Sequence, residues 1–126
     1  MKDDVTRKLG ASQRFVDARG SITTLFAGEA WQEANLIESG AGAVRGGHYH
    51  EQTFELVVML EGSVEVKVTP VADGPESVFV LEPGDVFRIT PLVVHTFTTR
   101  TASRWLNFLS IAYDHSNPDV HRLVPP

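Results

Sequence analysis

Apolar and polar positions along this chain alternate in short runs, and no stretch sustains a long helical period. SVEVKVT, 63–69, alternates strictly: Val64, Val66 and Val68 share one face, Glu65 and Lys67 the other. That pattern predicts a half-buried strand. FELVVML, 54–60, is almost wholly apolar, as expected of a strand buried on both faces. Glu61-Gly62 between these runs reads as a tight hairpin turn. SVFVL (77–81), DVFRI (85–89), VHTFTT (94–99) and RWLNFLSIAY (104–113) are further strands. ADGPES, 72–77, is a polar loop, and LEPGD, 81–85, places Pro83 and Gly84 at the two central positions of a type II turn. AGEAWQEANLIE, 27–38, is ambiguous. Many short strands separated by turns predict an all-β sandwich or barrel, and a barrel of this size commonly encloses one small-ligand site.

Length adds a bound. With 126 residues and no repeat or linker, one domain over 1–126 is expected, large enough to hold a core without staples. A net charge of −5 argues against a nucleic-acid partner. The absence of cysteine rules out disulfides and cysteine-based metal sites. The start, MKDDVTRKLG, lacks the apolar stretch of a signal peptide, and the run LVVML is too short to span a bilayer. No membrane role and a cytoplasmic location are therefore expected.

The chemistry concentrates in RGGHYHEQTFE, 45–55. Alternate side chains of a strand share a face, so His48 and His50 point together and Tyr49 points away. Glu55, five residues after His50, has the wrong parity unless a turn or bulge at 51–53 resets it. With the reset it joins the inward face of Val57 and Met59. His95, from a separate strand, can approach from across the barrel. Imidazole nitrogens with a carboxylate suit zinc, iron or manganese. The plainer alternative is a set of histidines satisfied by ordinary hydrogen bonds.

The stretch G-x5-H-x-H-x4-E-x6-G, 42–62, resembles the first cupin motif without departure. Gly84, Pro91 and His95 resemble the second less closely. The glycine expected after the proline is replaced by Leu92-Val93, the proline-to-histidine spacing is one residue short, and the usual asparagine is absent. The resemblance implies a cupin-type double-stranded β-helix, or jelly roll, with a barrel core over about 35–113 and both termini outside it as edge strands or dimer contacts. It also implies a divalent metal on His48, His50, Glu55 and His95.

Within the cupins, FVDARGSIT (15–23) resembles the opening of the epimerases and 3,4-ketoisomerases of dTDP-linked deoxysugars. VRGGHYH (44–50) and the tail YDHSNPDVHRL (113–123) are similar to the C-terminal cupin domain of capsule-synthesis UDP-sugar reductases. These resemblances imply a homodimer that epimerises or isomerises a nucleotide-linked keto-deoxysugar. Arg19 and Arg45 are then candidates for substrate phosphate, since a guanidinium offers a planar fork of donors. The alternative for both is a surface salt bridge, with Asp17 orienting Arg19. In the metal-free enzymes of this kind the position of His48 looks like the catalytic base, with His50 assisting. A histidine nitrogen committed to metal cannot also be that base, which would leave Tyr113, Asn107 or a bound water.

Two other functions fit the same residues: a small non-haem iron dioxygenase, and a non-catalytic ligand-binding cupin. The remaining side chains read as structural. Trp31, Phe54, Phe79, Phe87, Phe97, Trp105 and Phe108 are expected in the core or an interface, and Met59 lines the cavity. Arg88 is expected in solvent, as are His115 and His121, whose spacing gives no metal pattern.

Overall fold

The structure is a computed structural model that describes residues 7–9 and 13–123. The opening MKDDVT, read above for targeting, and residues 124–126 lie outside the described residues. Among the described residues eleven strands carry the fold: β1 (Arg7–Leu9), β2 (Gln13–Asp17), β3 (Gly20–Thr24), β4 (Glu33–Ser39), β5 (Val44–His48), β6 (Glu55–Glu61), β7 (Val64–Pro70), β8 (Ser77–Leu81), β9 (Val86–Ile89), β10 (Val93–Thr99) and β11 (Ser103–Leu109). One sheet has the order β1-β9-β6-β11-β4, a second β5-β10-β7-β8, and β2-β3 form a separate hairpin. Every strand pair is antiparallel. Strands β4 to β11 divide four to each large sheet and switch sheets at every step except the β7–β8 hairpin, as in a jelly roll, so the all-β expectation holds. Among the described residues no helix is long and apolar enough to cross a membrane.

The core lies between the sheets. Val57, Met59, Phe87, Ile89 and Trp105 enter from one side and Val64, Val66, Val68, Leu81 and Phe97 from the other, all buried. β7 alternates buried and exposed residues as its pattern predicts. β6 is buried on both faces because Leu56 and Val58 turn outward into a second cluster, covered by Leu25, Phe26 and Trp31. Residues 25–31 thus cap the back of the five-stranded sheet, with Phe26 edge-on to Phe108 at 5.1 Å. The ambiguous 27–38 stretch is therefore an irregular cover followed by β4.

Three expectations need correction. Glu61-Gly62 is not a hairpin, because β6 and β7 belong to different sheets and do not pair. The chain turns the corner at Gly62, with φ of 89°, packed so closely on the 102–103 backbone that a Cβ would lie 2.4 Å from the Ala102 carbonyl oxygen. The last strand ends at Leu109 rather than 113. Beyond it, side-chain acceptors replace the ladder: Gln32 Oε1 takes the Ala112 N–H at 2.9 Å and Glu33 Oε1 the Tyr113 N–H at 3.0 Å. Arg88 is buried rather than solvated, since it faces the outer cluster and pairs with Glu29. The Glu82-Pro83-Gly84-Asp85 turn does form as predicted, with φ of 91° at Gly84 and the Asp85 N–H donating to the Glu82 carbonyl at 3.0 Å.

Candidate active site

His48 closes β5 and faces His95 of β10 in register, with ring centroids 4.6 Å apart. The local geometry depends on Gly46. Its φ is 93°, and a Cβ there would lie 2.6 Å from the His95 carbonyl oxygen, where β10 carries a bulge. His50 lies just past the end of β5 on still-extended chain, 5.3 Å from the His48 ring and 5.1 Å from the His95 ring. Nitrogens of His48, His50 and His95 all come within 4.8 Å of one another.

Glu55 joins them from the opposite sheet. Its Oε1 sits 3.2 Å from His50 Nε2 and 3.9 Å from His95 Nε2, and its Oε2 accepts from Asn107 Nδ2 at 3.4 Å. The parity reset required at 51–53 is present as a turn, held from an unexpected source. The Asp119 carboxylate accepts the backbone N–H groups of Glu51 (2.7 Å), Gln52 (2.9 Å) and Thr53 (2.9 Å), and the Thr53 hydroxyl at 2.8 Å.

Two of the three imidazoles are pinned from behind. A carbonyl oxygen can only accept, so His50 Nδ1 donates to the Asp119 carbonyl at 2.7 Å and His95 Nδ1 to the Val93 carbonyl at 3.1 Å. Each Nε2 then faces the Glu55 carboxylate. Ligating histidines are commonly oriented in this way, and the donor set suits a divalent cation. His48 differs: it is the least buried of the three and has no hydrogen-bond partner among the described residues.

The charges follow from this packing. Burial, helped by the neighbouring imidazoles and Arg122, pulls the His48 pKa down to about 4, so it is neutral near pH 7. Burial likewise lowers His95. Burial opposes the charge on His50, but the Glu55 hydrogen bond and the Asp119 carbonyl outweigh it and raise the pKa. Burial also works against ionised Glu55, yet His50 holds its pKa below the ordinary value. These shifts run toward a His50–Glu55 ion pair beside two imidazoles that burial keeps less basic.

The two arginines named from the sequence are not gathered here. Arg19 is 87% exposed on the β2–β3 hairpin, where its only polar partner among the described residues is Asp17, at 2.6 Å. Arg45 lies on β5, but its guanidinium donates to Ser39 Oγ (2.6 Å) and the Glu38 carbonyl (3.2 Å). Of the other expected solvent histidines, His115 is exposed against Tyr113, with ring centroids 4.7 Å apart. His121 is instead partly buried between Glu51 (3.1 Å) and Asp119 (2.9 Å). Arg122, passed over in the sequence, donates to the carbonyls of Gly46 (3.2 Å) and Gly47 (3.1 Å) beside His48. A cavity of about 280 Å3 adjoins His50 between the tail and the 109–114 segment, and Glu51, Asp114 and Asp119 make its wall acidic.

The cupin domain family profile matches residues 35–111. No curated protein sequence matches the chain. Several solved structures share its fold. QdtA, a sugar 3,4-ketoisomerase from Thermoanaerobacterium thermosaccharolyticum in complex with TDP, aligns with a TM-score of 0.73 at 21% identity over 93% of this chain and 87% of its own. ChmJ, a 3'-monoepimerase from Streptomyces bikiniensis in complex with dTDP-quinovose, aligns at 0.79 and 19% identity over 95% of this chain and 70% of its own. CapF, a capsular polysaccharide assembling protein from Staphylococcus aureus, aligns at 0.69 and 21% identity over 88% of this chain but only 32% of its own.

Proposed function

The chain belongs to the cupin domain family, and we propose that it epimerises or isomerises a nucleotide-linked keto-deoxysugar. The observation that carries this reading is His48: a neutral imidazole without a hydrogen-bond partner among the described residues, next to a pinned His50–Glu55–His95 group. Such a base takes a proton from the carbon beside a ketone. His50, whose pKa Glu55 raises, would in its protonated form offset the negative charge that develops on the carbonyl oxygen. A proton delivered by solvent or another acid to the opposite face gives the epimer; a proton returned to the former carbonyl carbon, with the neighbouring hydroxyl proton passing to the former carbonyl oxygen, moves the ketone. The folds of QdtA and ChmJ, a ketoisomerase and an epimerase by name, support the substrate class.

A divalent metal is the second reading, favoured by the two Nδ1–carbonyl bonds and the inward Nε2 atoms. His48, His50, Glu55 and His95 would hold zinc, iron or manganese, which would supply Lewis-acid polarisation of the ketone. His48 would then be a ligand and another group the base. In either case the diphosphate is expected on the Arg122 side of the site, away from the acidic cavity wall, and a place for Arg45 in binding it rests on the sequence resemblance. A place for Arg19 in substrate recognition rests on the sequence resemblance alone.

The test is to incubate the protein with several nucleotide-linked keto-deoxysugars in heavy water and follow deuterium beside the ketone. Elemental analysis of the same preparation separates the two roles of His48. No exchange with any of the sugars, or ferrous-dependent oxygen uptake instead, would overturn the proposal.

A further inference from the structure

We infer that Asp119 is a positioning residue of this site: through its carboxylate and its backbone carbonyl, the C-terminal tail sets the orientation of His50 and the phase of Glu55. His50 and Glu55 are five residues apart, and simple alternation would put them on opposite faces. They meet because residues 51–53 turn, and that turn satisfies its N–H groups on one carboxylate 66 residues or more further along the chain. The same residue's carbonyl holds His50 Nδ1. One residue therefore fixes both ends of the His50–Glu55 pair.

The tail is itself fastened immediately after Asp119. Tyr49 and His121 form an antiparallel bridge, with N–H to carbonyl distances of 2.9 and 3.0 Å. His121 Nε2 lies 2.9 Å from Asp119 Oδ1. Arg122 then grips the Gly46 and Gly47 carbonyls. Asp119 is thus held to the 51–53 turn by its own carboxylate, and the two residues at 121 and 122 anchor the tail to the strand end that bears His48. Glu51, Asp119 and His121 also cluster closely enough to suggest a cation site. The Asp119 oxygens, however, are already occupied by four donors, so the cluster is a clasp.

The inference rests on the proposed function only in treating His50 as part of the reacting site; the geometry stands without it. Imidazole 15N–1H spectra of the full chain, recorded on wild type, D119A and D119N in the absence of metal, test it. The wild type is expected to show a slowly exchanging downfield proton on His50 Nδ1. In D119A its exchange should quicken at least tenfold, with D119N in between because it keeps one acceptor oxygen, while the Trp105 indole signal of the distant core stays in place. A purely stabilising role would lower the melting temperature and leave the His50 proton as protected as before. That result, or the lack of a protected proton in the wild type, overturns the inference. Should D119A fail to fold, D119N and H121Q carry the same comparison. If a ketosugar substrate is found, kcat should fall about tenfold in D119A with KM within about twofold. If none exchanges, the functional reading fails, and the His50 spectrum still decides the role of Asp119.

Discussion

At Leu92 the backbone φ is 64°, the only positive value among the described non-glycine residues. The position falls in the second cupin-like motif, where the sequence departs from the expected glycine. Its N–H donates to the His50 carbonyl at 2.7 Å, so the left-handed geometry is enforced by a contact to the site. A residue with a Cβ loses roughly 1–2 kcal/mol in this conformation, while glycine gives back part of that through a freer unfolded chain. The Leu92 side chain is half exposed and supplies little burial. We expect Leu92→Gly to raise stability by about 0.5–1 kcal/mol, read as a higher midpoint in urea. His48 presents the opposite case. With no hydrogen bond to lose, His48→Ala should keep the wild-type circular dichroism and unfolding midpoint. Solvent-deuterium exchange into substrate should fall by about 10^2- to 10^4-fold. Equal exchange in this variant would remove His48 from the chemistry.

Between residues and the whole stand the elements, and here the reach of sequence reasoning divides sharply. The alternation of β7, the double burial of β6 and the turn at Pro83-Gly84 were legible because each is decided by neighbouring residues. So was the need for a break at 51–53, since strand parity alone demands one. What closes that break was not legible: Asp119 acts from a tail whose sequence carries no strand pattern. The corner at Gly62 was hidden for a related reason. A hairpin and a crossing between sheets both call for a glycine, and only the packed 102–103 backbone distinguishes them. Arg88 looked solvated because its partner Glu29 lies on an irregular segment 59 residues away. The Asp119 clasp makes its own prediction. Burial would raise the Asp119 pKa, but three backbone N–H groups and a hydroxyl outweigh that and depress it. Its contribution is therefore complete above the unfolded-state value of about 3.9 and is lost as the pH falls toward the depressed folded value. Asp119→Asn should lower stability at pH 7 by about 1–2 kcal/mol and flatten the acid limb below about pH 4, as measured by urea unfolding across pH. A parallel shift of the whole pH curve would show that the carboxylate's charge is not involved.

Across the whole molecule, the candidate ligands join the two sheets. His48 and His95 belong to β5 and β10 of one sheet, Glu55 to β6 of the other, and His50 to the link between them. Inside the sandwich the two sheets otherwise meet through apolar packing, with Trp105 and Phe87 the largest buried side chains among the described residues. A cation held by all four groups would cross-link the sandwich at the end where Asp119 fastens the tail. Binding to the folded state alone stabilises by about 2.7 kcal/mol when free cation stands at 100 times its dissociation constant. On the metal reading, stripping with a chelator should lower the melting temperature by several degrees, and zinc or manganese should restore it. Glu55→Gln should abolish that response, because the carboxylate is the only ligand contributed by the opposite sheet. On the metal-free reading the melting temperature ignores both chelator and cation, and Glu55→Gln destabilises simply by leaving the His50 charge buried without its partner. A melting series on wild type and Glu55→Gln, with and without chelator, therefore tells which of two jobs this histidine cluster performs: binding the sheets through an ion, or keeping one imidazole free to move a proton.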